Sequence, residues 1–244
     1  MNNEIRGYYC KQQGKLLKDL TRTMELMGNV FQERYGEDFA FSIRKEILTE
    51  FEAIIPEIPY FKGYRNNMFN QMLLITSQFL AGYRVLKGHG KSNAEIWVLC
   101  DEALRTRLQE IPAWKRYMMK QFWHGVFGKM LKRRGKKGLR ERLGNFEMEY
   151  IAGDGIDYDF AIHYLQCGHD KFLEEQNAEE FLPYVCLADI ALSDAFGWGL
   201  ARTQTLGDGC KYCDFRFKKG APTEISSKTP EIQKIIDQRL SSAP

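Results

Sequence analysis

Histidine and proline are scarce in this chain, and no apolar run approaches membrane-spanning length. The 244 residues hold four histidines and seven prolines. Without about 20 consecutive apolar residues a transmembrane helix is excluded. The first ten residues carry no apolar core followed by a small-residue cleavage site, so the expectation is a cytoplasmic protein whose thiols stay reduced. No internal repeat is visible either. Acid is missing from one stretch: between Lys115 and Arg142 eleven Lys or Arg face the single acid Glu141. That segment carries a charge of about +10, and the remainder about −7.

What is present suits a folded domain. Hydrophobic residues make up 44% of the chain, enough for a real core. Leu16, Leu17, Leu20, Met24, Met27 and Phe31 form one helical face that Gly36 ends. A second helix is expected from Phe39 to Ile55, stopped by Pro56 and Pro59, and a third from Met68 to Leu86. Ser92 and Glu95 are spaced as a capping box opening a fourth helix, which runs to about Gln109. The basic stretch is the fifth. Its apolar Met118, Met119, Phe122, Val126, Phe127, Met130 and Leu131 recur at helical spacing, leading into a Gly-rich linker at Gly135, Gly138 and Gly144. A solvated helix is the plainer reading of this segment, with nucleic acid or an acidic membrane surface as the alternatives.

At Asn145 the period changes to two. Asn145 to Ile151 and Tyr158 to Leu165 flank Gly153-Asp154-Gly155 and read as a hairpin. Helices are expected from Asp170 to Glu180 and from Pro183 to Phe196, then a second hairpin, Leu200 to Leu206 with Cys213 to Lys218. The fold class is therefore α+β: a helical half (1–143) packed on a ββααββ unit with an antiparallel sheet (144–220), with a peripheral tail (221–244), all in one compact domain.

Four of the six cysteines lie within 47 residues, as Cys167-Gly168-His169, Cys186 with Asp189, and Cys210 with Cys213. Thiols beside His and Asp can bind a soft metal or attack electrophilic carbon. Cys210 and Cys213 make half a zinc site, but the remaining spacings match no standard zinc signature. Cys186 and Asp189, three apart in the expected helix, share one face, so a base such as His163 or His169 could activate the thiol while the carboxylate moves a proton. The alternative is that Cys186 packs in the core while Asp189 faces water. Thr203 and Thr205 are expected to share one face of a strand with Arg202 on the other, where it could hold a small carboxylate. An exposed cation on an edge strand is the alternative.

The blocks Gly153-Asp154-Gly155, Cys167-Gly168, Tyr184 to Asp189, Gly199 to Leu206 and Cys213-Asp214-Phe215-Arg216-Phe217 resemble the L-2-amino-thiazoline-4-carboxylic acid hydrolase family in order and spacing. Leu16-Leu17-Lys18, Glu50 to Tyr60 and Val85 to Ser92 are similar to that family too, so the resemblance covers nearly the whole chain. It implies hydrolysis of a small cyclic amidine: water adds at the amidine carbon, the ring C–S bond breaks and an N-carbamoyl amino thiol results. Cys186, Asp189, His169 and Cys167 are then the candidate catalytic residues, and Arg202, Thr203, Thr205, Cys213, Asp214 and Asn67 the candidate substrate-binding residues. No cofactor is required on the leading, thiol-based reading; zinc or another divalent metal is the alternative. Gln166 stands where family members often carry Glu, and it cannot act as an acid or base. The ββααββ unit also looks like the vinyl-reductase-type domains, which makes a non-catalytic small-ligand sensor the second reading. A small molecule is the expected partner, nucleic acid is disfavoured, and self-association to a homo-oligomer is left open.

Overall fold

The computed structural model describes residues 4–241. An antiparallel pair, β1 (Glu4–Ile5) and β2 (Tyr60–Phe61), fastens the N-terminal strand to the loop that follows the first three helices. These are α1 (Gln13–Leu26), α2 (Gly28–Tyr35) and α3 (Glu37–Ile54). One helix was expected up to Gly36, but Met27 (φ −88°, ψ 1°) interrupts it while its own side chain stays 1% exposed. The break turns Met27 into the core at the cost of straightness.

α4 (Asn67–Gly88) is the centre of the helical layer and packs against α3 and α5 (Asn93–Gln109). The capping box forms as the spacing dictates: Glu95 N–H donates to Ser92 Oγ (3.3 Å), and Ser92 N–H donates to Glu95 Oε2 (2.9 Å). The basic segment continues as α6 (Ala113–Phe122), a π turn (Trp123–Phe127) and α7 (Gly128–Lys136). Gly135 belongs to α7 and not to a linker: a Cβ there would lie 2.2 Å from Ala152 N, so helix and strand backbones touch where only glycine fits.

The sheet has six strands: β3 (Arg140–Leu143), β4 (Phe146–Ala152), β5 (Phe160–Gln166), β6 (Leu200–Arg202), β7 (Cys213–Phe217) and β8 (Glu224–Ile225). Their order is β3-β4-β5-β7-β6-β8, antiparallel except for the parallel β6–β8 pair. Between β5 and β6 come α8 (Gly168–Glu175), α9 (Leu182–Val185) and α10 (Ala188–Phe196). The chain is thus α+β, with an N-terminal helical half packed on a largely antiparallel sheet. Phe69 of α4 against Phe146 of β4, ring centroids 4.5 Å apart, is one contact across that boundary.

Several expected boundaries move. β3 pairs with β4 from within the stretch assigned to the helices, because an edge strand need not alternate in hydrophobicity. The second helix of the unit splits at Cys186 and Leu187, and the first ends at Glu175 instead of Glu180. The segment after Gly220 was expected to be peripheral, yet β8 and α11 (Pro230–Ser241) bury Ile225, Ile232 and Ile236. Arg239 Nη2 also reaches the buried Asp101 carboxylate at 2.9 Å.

Candidate functional site

Alternation along the neighbouring strands β5 and β7 decides which side chains enter the space between the sheet and the helices. Phe160, Ile162 and Tyr164 of β5 stand opposite Phe217, Phe215 and Cys213 of β7. These six share the inner face, since side chains two apart point the same way. His163 and Asp214, paired one step along, share the outer face with Arg216. The β5–β7 register therefore puts Cys213 and its neighbour Asp214 on opposite faces of the sheet.

The inner face collects the thiols. Cys213 opens β7, buried, and its Sγ accepts the Leu206 N–H at 3.2 Å. Cys167 follows β5 at the residue that precedes α8, while Cys186 sits in the turn between α9 and α10. Cys167 lies near enough to Cys186 and Cys213 that ionising one thiol opposes ionising another, and Tyr164 stands in the same relation to Asp189, Cys167 and Cys213. Burial pushes the Cys167 thiol up to about 12. It also pushes Cys186 and Cys213 above the ordinary thiol range, with Arg202 opposing in both cases. All three are neutral thiols near pH 7.

Asp189 and Arg202 are the charged members of this group. Arg202 ends β6 with a side chain almost wholly buried, and its Nη1 donates to the Asp189 carboxylate and to the Cys186 carbonyl (2.9 Å). Its guanidinium lies 5.7 Å from the centre of the Phe215 ring. Burial raises the Asp189 carboxyl to about 6, against the opposing pull of Arg202. Arg202 Nε, also buried, has no hydrogen-bond partner among the described residues. A buried guanidinium donor left unpaired is costly, and such an orphan is a place where a bound molecule or water belongs.

The other predicted residues lie elsewhere. Thr203 and Thr205 do not share a strand face: β6 stops at Arg202, leaving Thr203 exposed and Thr205 buried. The cause is Asp214, whose carboxylate accepts the N–H groups of Thr203 (2.8 Å) and Gln204 (2.9 Å) and the Thr203 hydroxyl (2.7 Å). Those donors are diverted from a ladder into a clamp. Thr205 caps a short 3-10 turn, its Oγ1 accepting the Asp208 N–H at 3.0 Å. His169, in the first turn of α8, meets Thr76 Oγ1 through Nδ1 at 2.7 Å and sets its ring edge-on to Phe146. Burial lowers it to about 4, so it is neutral at pH 7. Asn67 opens α4 in an exposed position. Cys210 is half-buried in the β6–β7 connection. Among the described residues no three His, Cys, Asp or Glu side chains are grouped so as to hold a metal ion.

A cavity of about 250 Å³ meets the group at Tyr164 alone; Cys167, Cys186, Asp189, Arg202 and Cys213 do not line it. Trp123, Phe127, Ile162 and Tyr164 form apolar walls, with Arg65 and Arg134 also lining it. Glu141 lies between those two arginines, ion-paired to both and accepting the Tyr150 hydroxyl at 2.8 Å. Tyr164 thus belongs both to the cavity and to the thiol group. It escaped attention in the sequence, although its alternation with Ile162 and Phe160 is the signal that turns it inward.

The family model of the L-2-amino-thiazoline-4-carboxylic acid hydrolases matches residues 80–217, which takes in the thiol group, Asp189, Arg202 and Tyr164. No curated protein and no solved structure matches the chain. With more than half of its length covered by that match, the chain belongs to the L-2-amino-thiazoline-4-carboxylic acid hydrolase family.

Proposed function

We propose that this protein hydrolyses a small cyclic amidine of the aminothiazoline-carboxylate type, and that Cys186, Asp189 and Arg202 form the reacting centre. The observation that carries the reading is the buried Arg202, which holds Asp189 through Nη1 while its Nε stays unpartnered. That idle donor suits the carboxylate of the substrate. Asp189, with its carboxyl raised to about 6, can take and return a proton near neutral pH.

The Cys186 sulfur attacks the amidine carbon as its proton passes to Asp189. The ring C–S bond breaks, and the leaving sulfur takes that proton. Water then attacks the same carbon, giving one proton to Asp189 and the other to the former ring nitrogen, and the bond to Cys186 breaks as Asp189 returns its proton to that sulfur, leaving a carbamoyl group. The balance is one water added, one ring opened and the enzyme regenerated. Burial keeps the Cys186 thiol neutral, so the reading requires proton removal during attack and not a resting thiolate.

A second reading, a non-catalytic small-ligand module, draws on the cavity of about 250 Å³ and on the neutrality of all three thiols. Ring opening of an aminothiazoline carboxylate and related amidines, followed by release of free thiol, separates the two. Turnover should rise from pH 5 to pH 7 as Asp189 ionises, about 100-fold or more should be lost in Asp189→Asn, and Cys186→Ala should be inactive yet folded. Full activity in Cys186→Ala would end the thiol mechanism. Saturable binding without turnover would establish the ligand module.

A further inference from the structure

From residue 113 to 136 the chain contains no acidic residue. Along it, Trp114, Met118, Phe122, Val126 and Met130 recur every fourth position, and all five are exposed, Val126 by 71%. Tyr117 is exposed beside them. Core packing does not explain this row, since only Gly128 and Leu131 of the helical pair are buried.

The π turn explains how the row stays in line. In an uninterrupted α-helix each four-residue step overshoots one full turn by about 40°, a drift of about 160° from Trp114 to Met130. A π turn accommodates one additional residue and takes back about 100° of it. The apolar side chains therefore stay on one side of the helix through Trp123–Phe127.

Cations flank the row. Lys115, Lys129, Arg133, Lys136 and Lys137 are exposed and make no ion pair among the described residues; Arg134 and Arg140, by contrast, are paired to Glu141 and Glu149. At the α7 end, Val126, Met130 and Leu139 floor an open groove of about 490 Å³ bordered by Lys129, Arg133 and Lys137. From these observations we infer that α6, the π turn and α7 form a docking face for an anionic lipid surface, with the apolar row in the acyl boundary and the cations among the headgroups. Trp114 and Tyr117 occupy one end of the face, as interfacial aromatics do. A second copy suits it poorly, because this face against itself brings cations onto cations with no acid on either side. Nucleic acid would satisfy the cations and leave the apolar row in water.

The experiment is flotation of the full chain with phosphatidylcholine vesicles, with and without phosphatidylglycerol. Binding is expected only when phosphatidylglycerol is present and should weaken with salt. Arg133→Gln and Lys137→Gln should each cost about fivefold in affinity. Phe122→Ser and Val126→Ser should each cost about tenfold or more, with circular dichroism unchanged. Absence of binding to phosphatidylglycerol vesicles overturns the inference, as does equal binding to pure phosphatidylcholine. Binding unaffected by both serine variants also overturns it. Without vesicle binding, retention of a DNA duplex assigns the face to nucleic acid, and a dimer dissolved by Val126→Ser assigns it to a second copy.

Discussion

Around Asp189 and Arg202 an ion pair is largely withdrawn from water beneath the sheet, with the Arg202 side chain 2% and the Asp189 side chain 17% exposed. Along α6 and α7 a row of large apolar side chains is left in water on the outside. Each inverts the usual partition, and single exposed apolar residues mean little where a buried ion or a contiguous apolar face means much. The two inversions should behave oppositely when altered: the inner one is bound into the stability of the fold, the outer one is not.

The sharpest way to break this contrast is to remove one buried partner. Arg202→Met should lower unfolding free energy in urea by about 3–5 kcal/mol, because the largely buried Asp189 is then left unpaired. Most of that loss should return in Arg202→Met with Asp189→Leu. A loss under about 1 kcal/mol for the single variant would show that water reaches the pair, and the contrast would collapse.

Acid supplies the next largest effect. His169 is depressed from its ordinary value to about 4, so its contribution is complete above about pH 6.5 and is lost as pH falls through 4. Asp189, raised to about 6, acts in the other direction: its share is present at low pH and lost as pH rises through 6. The test is therefore a difference between wild type and His169→Gln. Between pH 7 and pH 4 the wild type should lose up to about 3 kcal/mol more than the variant. Parallel pH profiles would place the imidazole in contact with solvent.

On the outer face, Val126→Ser should change unfolding free energy by less than about 0.5 kcal/mol in urea, the range of surface substitutions. A larger loss would mean that the row packs against the protein's own fold, and the two regions would then differ in degree only.

Local signals in the sequence were enough for the elements whose termini are chemically marked. Ser92 with Glu95 opens α5, Pro56 follows α3 and the alternation after Asn145 forms the β4–β5 hairpin. What failed depends on distant partners. β3 reads Arg-Glu-Arg-Leu and becomes a strand only because β4 pairs with it. Thr203 and Thr205 part company because Asp214, ten residues on, captures the backbone between them. In the candidate site the thiols were visible by type, and their neighbourhood required the turn at Cys186 and the inward face of β7. The pairing of Asp189 with Arg202 spans a helix and a loop, and no local pattern encodes it.

The strand order carries one consequence for the order of synthesis. β6 is covered on one side by β7 and on the other by β8, which is made after every other strand. Ile232 and Ile236 enter the core later still. On the ribosome, the edge of β6 carrying Arg202 is therefore open until the last strand emerges, with the pocket for α11 empty behind it. A nascent chain halted before residue 224 would present a free strand edge beside the Arg202 guanidinium, and β8 with α11 acts as the closing latch of the sheet.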